Sequence, residues 1–130
     1  MKDRKIKVVL VDVKKGTAES KVVADSLETY YKLLDCEAID IAKRTIDGKE
    51  HDFIVDDNGL YNNKLVPSVI NTDGKVQFVG NVIICNCDLE GIEQSLSSDE
   101  VKNILNRTIE LHMPQSEQQD EVNSKMVIVD

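Results

Sequence analysis

Residues 53–67 have the sequence FIVDDNGLYNNKLVP and lead from one apolar run to a second one at 78–87. Asn58-Gly59 predicts a tight turn, because a type I′ turn needs positive φ at both central residues and Asn followed by Gly adopts this at little steric cost. The residues before the turn alternate between two faces, as in a β-strand. We therefore predict a strand, a sharp reversal and a polar loop that leads towards a second strand.

The acidic and amide residues of this turn also suggest a calcium-binding loop, but the register excludes one. With Gly59 at position 6 of an EF-hand loop, Ile54 falls at position 1 and Leu65 at position 12. Both positions require carboxylate ligands. A simple turn is the better interpretation.

Two hairpins are predicted before this loop. Residues 5–13 are largely apolar and indicate a mostly buried strand, and 18–23 can return as its partner after a Gly-containing turn. A helix that begins at Thr17 is the alternative for the second segment. Residues 36–56 alternate on both sides of a predicted turn at 47–48, which indicates another hairpin.

A first helix is predicted after residue 24. Asp25 can cap its free N–H groups while Glu28, three residues later, reaches back to the cap. The following apolar residues recur with helical spacing and form one stripe. Asp35 is predicted to end this helix. The stripe consists of Leu27, Tyr30, Tyr31 and Leu34.

A central strand and a second helix are predicted downstream. A strand is predicted over residues 81–88, because residues 82–85 are apolar on both faces, as is typical of a strand in the middle of a sheet. Ser97 and Glu100 have the spacing of a capping box and open the helix, which Met113-Pro114 ends. Its apolar stripe consists of Val101, Ile104, Leu105, Thr108 and Ile109.

The end of the chain changes composition twice. Residues 115–125 are polar and poor in apolar side chains, which indicates a flexible linker. The apolar residues Met126, Val127, Ile128 and Val129 are expected to add an edge strand to their own sheet or to dock on a partner. We predict a single α+β domain over 1–113, with a mostly antiparallel sheet built from hairpins and two helices packed on it, a polar linker over 114–125 and an apolar segment over 126–130.

Composition and charge limit the possible functions. The 130 residues suit one domain, and 41% hydrophobic with 31% charged residues is typical of a globular protein. The basic N-terminus is followed by an apolar run too short for a signal peptide, and no run is long enough to span a membrane, so the cytoplasm is expected. A net charge of −8 argues against direct binding to nucleic acid, which needs clustered Lys and Arg.

The cysteines and histidines do not form a recognisable metal or disulfide pattern. Three cysteines are an odd number, and Cys36, Cys85 and Cys87 are expected to fill apolar space. His51 and His112 lack ligand-type spacing to them, so neither a metal site nor a cofactor is predicted. Catalysis is not expected either, because no nucleophile and base are placed together by the sequence pattern.

The order of elements and several short motifs resemble a family of small uncharacterised proteins found in phages, plasmids and related mobile elements of bacteria. The resemblance covers about residues 6–109 and implies no established activity. It depends on the order of four segments, which are VVLVD at 8–12, SLE at 26–28, DNGL at 57–60 with Asn63, and GNVII at 80–84 followed by LSSDE at 96–100.

Two functions follow as expectations. The first is a non-catalytic binding or accessory protein that acts through protein–protein contacts, with an acidic surface or the apolar segment 126–129 as the contact. The alternative is a sensor of a small ligand or nucleotide that uses the loop 59–67 as the rim of its site. Stacking, amide hydrogen bonds and a cation would come from Tyr61, Asn62, Asn63 and Lys64.

Overall fold

The computed structural model describes residues 4–58, 66–114 and 121–130, with the backbone alone for 111–114 and 121–123. Within these residues the chain forms ten strands and two helices. In chain order they are β1 (Lys5–Asp12), β2 (Thr17–Ala24), α1 (Leu27–Leu34), β3 (Ile39–Ile46), β4 (Lys49–Asp56), β5 (Pro67–Asn71), β6 (Val76–Val79), β7 (Val82–Cys87), β8 (Glu93–Gln94), α2 (Ser98–Asn106), β9 (Thr108–Pro114) and β10 (Glu121–Val129).

The first sheet contains both predicted hairpins. Its strand order is β2-β1-β7-β4-β3, all neighbours are antiparallel, and β8 pairs with the end of β7. Asp47 and Gly48 have φ values of 51° and 80°, as the turn between β3 and β4 requires. The predicted central strand is β7, which lies between the two hairpins.

The second sheet joins segments that are distant in the sequence. Its order is β6-β5-β10-β9, in which β10 runs parallel to β5 and antiparallel to β9. The remaining pair, β5 and β6, is an antiparallel hairpin whose turn includes Gly74 at φ 80°. The sheet therefore cannot form without β10, which is bonded to a strand on each side.

Both faces of the first sheet are covered. Along β1, the side chains of Val8 and Leu10 face α1, while Val9 and Val11 face the second sheet and α2. The layer beneath α1 contains Ile6, Val8, Leu10, Tyr30, Leu34, Ile54, Ile83 and Cys85. The layer between the sheets and α2 contains Val9, Val11, Ile46, Phe53, Val55, Val69, Val82, Ile84, Leu96, Ile104, Val127 and Val129.

An aromatic pair joins the two sheets. The rings of Phe53 on β4 and Phe78 on β6 are stacked, with their centroids 5.8 Å apart. The guanidinium carbon of Arg44 lies 4.8 Å from the centroid of the Phe78 ring, and its Nε donates to the Oε1 of Gln77 at 3.1 Å. Stacking and the cation–π contact thus fix β6 against the first sheet.

The capping box predicted for the second helix is present and also anchors α2 to the first sheet. The Oγ of Ser97 accepts from the N–H of Glu100, and the Glu100 carboxylate accepts from the N–H of Ser97 at 2.7 Å. The same carboxylate forms an ion pair with Lys49 and accepts from the amide of Asn86 at 2.8 Å. Burial alone would raise the pKa of Glu100, but these bonds lower it to about 2.

The second helix is shorter than predicted. It ends at Asn106, and the predicted stripe residues Thr108 and Ile109 begin β9 instead. Thr108 and Ile109 are β-branched and fit either structure by spacing, so the pairing of Thr108 with Val127 and of Ile109 with Met126 decides for the strand. Met113-Pro114, the predicted helix stop, is the end of that strand.

Strands extend into both ends of the segment 114–125, which the sequence analysis expects to be a linker. Pro114 belongs to β9, and β10 begins at Glu121, while 115–120 lie outside the described residues. Pairing between two strands uses backbone groups, so a polar segment can join a sheet when a partner strand is available. The segment 126–130 is neither an edge strand nor a free end, because it lies between β5 and β9. A domain boundary at residue 113 does not match the core, which includes Val127 and Val129.

The N-cap of the first helix lies one residue later in the sequence than predicted. Ser26 is its N-cap, and the Ser26 Oγ accepts from the N–H of Thr29 at 3.2 Å. Asp25 accepts from the hydroxyl of Tyr30 instead. The helix ends at the predicted residue, Asp35, which has the left-handed conformation with φ 52°.

The predicted fold class is confirmed: the protein is α+β, with mostly antiparallel sheets and two helices in the described residues. Each of these helices has fewer than ten residues, and neither has the length and apolar character needed to cross a membrane.

Shortening the fully buried Val127 is expected to destabilise the protein. Val127→Ala should lower the free energy of unfolding by about 2 kcal/mol, because it removes buried methyl groups and leaves a cavity between the sheets. The measurement is the urea midpoint, with the slope of the transition unchanged. The matched control is Val76→Ala, since Val76 is 51% exposed and its change should stay within about 0.5 kcal/mol. Equal effects of the two variants would contradict the burial of β10.

Candidate functional site

A recess of about 380 Å³ opens where the β1–β2 hairpin meets the end of α1 and the residue before β7. We call it the lysine pocket. Apolar side chains contribute to its wall, and four of its residues are lysines. It is lined by Leu10, Asp12, Lys14, Lys15, Lys21, Lys32, Leu33, Asp35 and Asn81.

The hairpin side of the lysine pocket is held in place by Asp12. One oxygen of its carboxylate, Oδ1, accepts from the backbone N–H of Lys14 at 3.0 Å and of Lys15 at 3.1 Å. Gly16 completes this turn with φ 70°, a conformation that is easy for glycine. Asp12 therefore orders the backbone from which the first two lysines project.

Asn81 connects three elements at the base of the pocket. Its Oδ1 accepts from the N–H of Val13 at 2.9 Å, and its Nδ2 donates to the carbonyl oxygen of Leu33 at 3.0 Å. These two bonds tie the end of β1 and the last turn of α1 to the start of β7. The shape of the pocket is therefore fixed by the fold.

The charge of the lysine pocket is opposite to that of the whole chain. Four ammonium groups and two carboxylates give its lining a formal charge of +2, while the chain carries −8. Lys14 pairs with Asp35 at 3.3 Å, and both side chains are about three-quarters exposed, so the pair is weak. Among the described residues, Lys15, Lys21 and Lys32 have no carboxylate within ion-pair distance.

A second recess, of about 230 Å³, shares Asp35 with the lysine pocket. Its other lining residues are Cys36, Glu37 and Asn58. The left-handed conformation of Asp35 ends α1, and the N–H of Cys36 donates to the carbonyl oxygen of Tyr31 at 3.0 Å. This second recess offers carboxylate and amide groups, so its chemistry differs from that of the lysine pocket.

A separate polar cluster lies on the α1 side of the first sheet, and we call it the carboxylate cluster. Its members are the carboxylates of Asp25, Asp52 and Glu93 with the groups that pair with them. Asp25 accepts from the hydroxyl of Tyr30 at 2.5 Å and from the guanidinium of Arg4 at 2.7 Å. Burial, followed by this bond to Asp25, raises the pKa of Tyr30, so the phenol stays protonated.

Asp52 is the most deeply placed member, with 3% of its surface exposed. Its Oδ1 accepts from Lys43 Nζ at 2.7 Å, and the same ammonium lies 3.2 Å from the Sγ of Cys87. The bond to Asp52, then that to Cys87, raises the pKa of Lys43. Burial raises the pKa of Glu93, and so do a hydrogen bond with Asp52 and the charge of Asp52. Two carboxyl groups in contact disfavour two negative charges, so the contact with Asp52 adds to the effect of burial on the pKa of Glu93.

The thiols and the described histidine are occupied in packing or hydrogen bonds. Cys85 is fully buried, and burial, followed by the nearby charges of Glu93 and Asp52, raises its pKa and keeps it a thiol. His51 is buried with its Nδ1 2.7 Å from the Oδ1 of Asn86. Within the described part of the chain, no three His, Cys, Asp or Glu side chains form a group that could hold a metal ion.

The candidate residues from the sequence do not form the described site. Tyr61, Asn62, Asn63 and Lys64 lie outside the described residues, as does Gly59 of the predicted turn. Met126, Val127, Ile128 and Val129 belong to β10, with Val127 and Val129 fully buried, so they offer no free docking surface in this fold.

The lysines of the pocket are not among the site residues predicted from the sequence. Lys14-Lys15 in a hairpin turn was a visible signal, but Lys21 and Lys32 are apart in sequence and come from a strand and a helix. The register of the hairpin, which pairs Lys21 with Val8, places that lysine on the α1 face of the sheet. The convergence follows only when α1 is packed on that face.

Removing the titration of Glu93 is expected to change how stability depends on pH. Folding raises the pKa of Glu93 above its ordinary value of 4.5. The stabilisation of the folded state that comes from protonated Glu93 is therefore complete below that value and is lost as the pH rises through the folded-state pKa. Glu93→Gln mimics the protonated acid and should be more stable than the wild type at pH 7, with the difference vanishing near pH 4. Urea midpoints between these values test this.

The control for Glu93→Gln is Glu90→Gln, which removes an equal charge from the exposed neighbouring loop. The difference in stability between Glu90→Gln and the wild type should stay constant from pH 4 to pH 7, whereas the difference for Glu93→Gln should increase. A Glu93→Gln protein that is less stable than the wild type at pH 7 would contradict the raised pKa of Glu93.

One comparison identifies a family. A model described as a domain of unknown function, DUF3846, matches residues 6–109, which is the range of the resemblance predicted from the sequence. That range includes both helices and every lining residue of the lysine pocket. No match was found among curated proteins or among solved structures. The match covers most of the 130 residues, and the chain therefore belongs to the DUF3846 family, a domain of unknown function.

Proposed function

We propose that the protein is a non-catalytic binding protein that holds the anionic group of a small ligand in the lysine pocket. One observation carries this proposal: four lysines converge on a recess of about 380 Å³ in a chain whose net charge is −8. A small-ligand role was one of the two expectations from the sequence. The site proposed here is the lysine pocket instead of the loop 59–67.

Electrostatics supports an anion as the ligand. Ammonium groups that share a recess repel one another, and an anion between them removes this repulsion while it forms charge-assisted hydrogen bonds. Lys15, Lys21 and Lys32 are available for such bonds, since their ammonium groups have no ion-pair partner in the described residues. The concave wall strengthens the attraction, because it limits access of water to the bound group.

Preorganisation supports a small ligand. Asp12 and Asn81 hold the walls through four hydrogen bonds, so binding does not have to order the backbone. Leu10 and Leu33 add apolar surface next to the cations. A few convergent charges beside apolar surface is the usual composition of a ligand site.

Replacing a lysine of the pocket is expected to weaken binding. Lys32→Ala should raise the dissociation constant for a phosphate-bearing probe about tenfold, the loss expected for one charge-assisted hydrogen bond. Isothermal titration calorimetry with inorganic phosphate and with pyrophosphate is the measurement. Binding should also weaken as sodium chloride is added.

The matched control for Lys32→Ala is Lys75→Ala, since Lys75 is an exposed lysine in the turn between β5 and β6. This variant should bind the probes as the wild type does. No binding of either probe, or an equal loss in both variants, would overturn the proposal. Tight binding of a single-stranded DNA oligonucleotide through the same lysines would replace it with a nucleic-acid role.

A second candidate function is contact with a protein partner through residues 88–92. Leu89 at the tip of this loop is fully exposed, and Ile92 is half exposed. The loop is ordered by Asp88, whose Oδ1 accepts from the N–H groups of Glu90 and Ile92 at 2.8 and 3.0 Å. The bond from Ile92 is the main reason why the pKa of Asp88 is lowered. A rigid loop that presents an apolar tip resembles the anchor of a protein interface.

Leu89 provides the test of this second function. A protein retained from bacterial lysate by the wild type should be lost with Leu89→Ser, since the apolar anchor is removed, and kept with Val76→Ser, which changes an exposed valine on β6. Quantitative pull-down is the measurement. Retention of the same protein by both variants would exclude the loop as the contact. Deleting the C-terminal segment is not a suitable test, because β10 is part of the core.

The setting belongs to the same proposal. The resemblance in the sequence implies a phage, plasmid or other mobile element of a bacterium, and the N-terminal apolar run, too short for a signal peptide, favours the cytoplasm as the compartment. An acidic accessory protein that responds to a small anion, or that contacts a host protein, is compatible with this setting.

A further inference from the structure

We infer that the ligand of the lysine pocket is a phosphomonoester whose other end carries hydroxyl or amino groups, and that this end lies in the second recess. The inference rests on the function proposed above and adds the chemical class of the ligand. Sugar phosphates and nucleoside monophosphates share this chemistry.

The two recesses meet at one residue. Asp35 lines both the lysine pocket and the second recess, so the two recesses adjoin at this residue. The second recess, at about 230 Å³, is smaller than the roughly 300–1,000 Å³ usual for ligand sites. Together the two recesses have the volume of a site for one elongated small molecule.

The two ends of this combined site have opposite chemistry. The lysine pocket offers ammonium donors, which suit phosphate oxygens. The second recess offers the carboxylate of Glu37 and the amide of Asn58, beside Asp35, whose own carboxylate is paired with Lys14. Among the described residues, its lining contains no lysine or arginine. Carboxylates accept hydrogen bonds and repel anions, so this end selects hydroxyl and amino groups. A simple anion uses only the first end.

The backbone fixes the acceptors of the second recess. α1 ends in the left-handed residue Asp35, which sets the direction of the chain through Cys36 and Glu37. The N–H of Asn58 donates to the carboxylate of the buried Asp56 at 2.8 Å. The last carbonyl groups of α1 carry partial negative charge, which also favours donor groups at this end.

Isothermal titration calorimetry with four probes tests the inference. The probes are inorganic phosphate, ribose, ribose 5-phosphate and adenosine 5′-monophosphate. We expect at least one of the two esters to bind the wild type about tenfold more tightly than inorganic phosphate, and ribose alone to bind far more weakly. If the nucleotide binds more tightly than ribose 5-phosphate, the base contributes to the additional affinity over inorganic phosphate. If the two esters bind equally, the additional affinity comes from the sugar.

Variants at the two ends separate their contributions. Glu37→Ala should remove the advantage of the esters and leave the affinity for inorganic phosphate unchanged, whereas Lys32→Ala should weaken all three phosphate probes about tenfold. Glu28→Ala, an exposed glutamate in the first turn of α1, is the matched control and should bind as the wild type does. Thermal midpoints confirm that each variant is folded.

The outcomes distinguish the proposed binding of an anion in the lysine pocket from the inference that the second recess holds the other end of the ligand. Inorganic phosphate that binds as tightly as both esters would overturn the inference about the second recess and leave the proposed function standing. An ester advantage that persists in Glu37→Ala and is also unaffected by Asn58→Ala would overturn it as well. Absence of binding by every phosphate probe would overturn both the proposed function and the inference about the second recess.

Discussion

The fold depends on one constraint, which is that the central strands of the first sheet are apolar on both faces. β1, β7 and β4 each place aliphatic or aromatic side chains above and below the sheet, and leaving either face in water would sacrifice most of the hydrophobic stabilisation. One face is covered by α1. The other needs a larger cover, which the second sheet and α2 supply together. The position of every other element follows from this double burial.

The lysine pocket is a consequence of the same layering. α1 covers only part of the sheet face on which it lies, and the recess opens where its last turn stops short of the β1–β2 hairpin. Hydrogen bonds of Asn81 close the base, so the opening is bordered by rigid elements on all its described sides. The backbone positions from which the four lysines project are therefore set by the fold, whereas the spacing of lysines on a flat surface is not tied to a recess.

Local chemistry made part of the structure predictable. The turn at Asp47-Gly48 and the capping box of Ser97 and Glu100 depend on neighbouring residues alone, and both were correct. The prediction for Asp25 failed by one position, because two adjacent residues can each cap a helix and Asp25 was needed by Tyr30 and Arg4. The spacing of the apolar residues therefore predicted the position of the helix, while tertiary contacts of Asp25 determined which residue caps it.

Long-range pairing made the rest unpredictable. Polarity suggested a linker before residue 126, but a strand that pairs through its backbone needs few apolar side chains, and β9 is the partner that local patterns could not reveal. The candidate site was hidden for a similar reason. Lys21 and Lys32 line one pocket because the hairpin register places Lys21 on the face of the sheet on which α1 packs. The spacing of residues in the sequence does not show this packing.

The pairing of β5 with β10 has a consequence for synthesis on the ribosome. The strands β2-β1-β7-β4-β3 and the β5–β6 hairpin are complete once β7 has emerged. β10, which unites the second sheet, begins 34 residues after Cys87 and ends 42 residues after it, a delay of roughly 2–8 s at ordinary translation speed. During that interval the underside of the nascent sheet, including Phe53 and Val9, lacks its full cover. The growing polypeptide is thus exposed to chaperones and to aggregation until β10 has emerged.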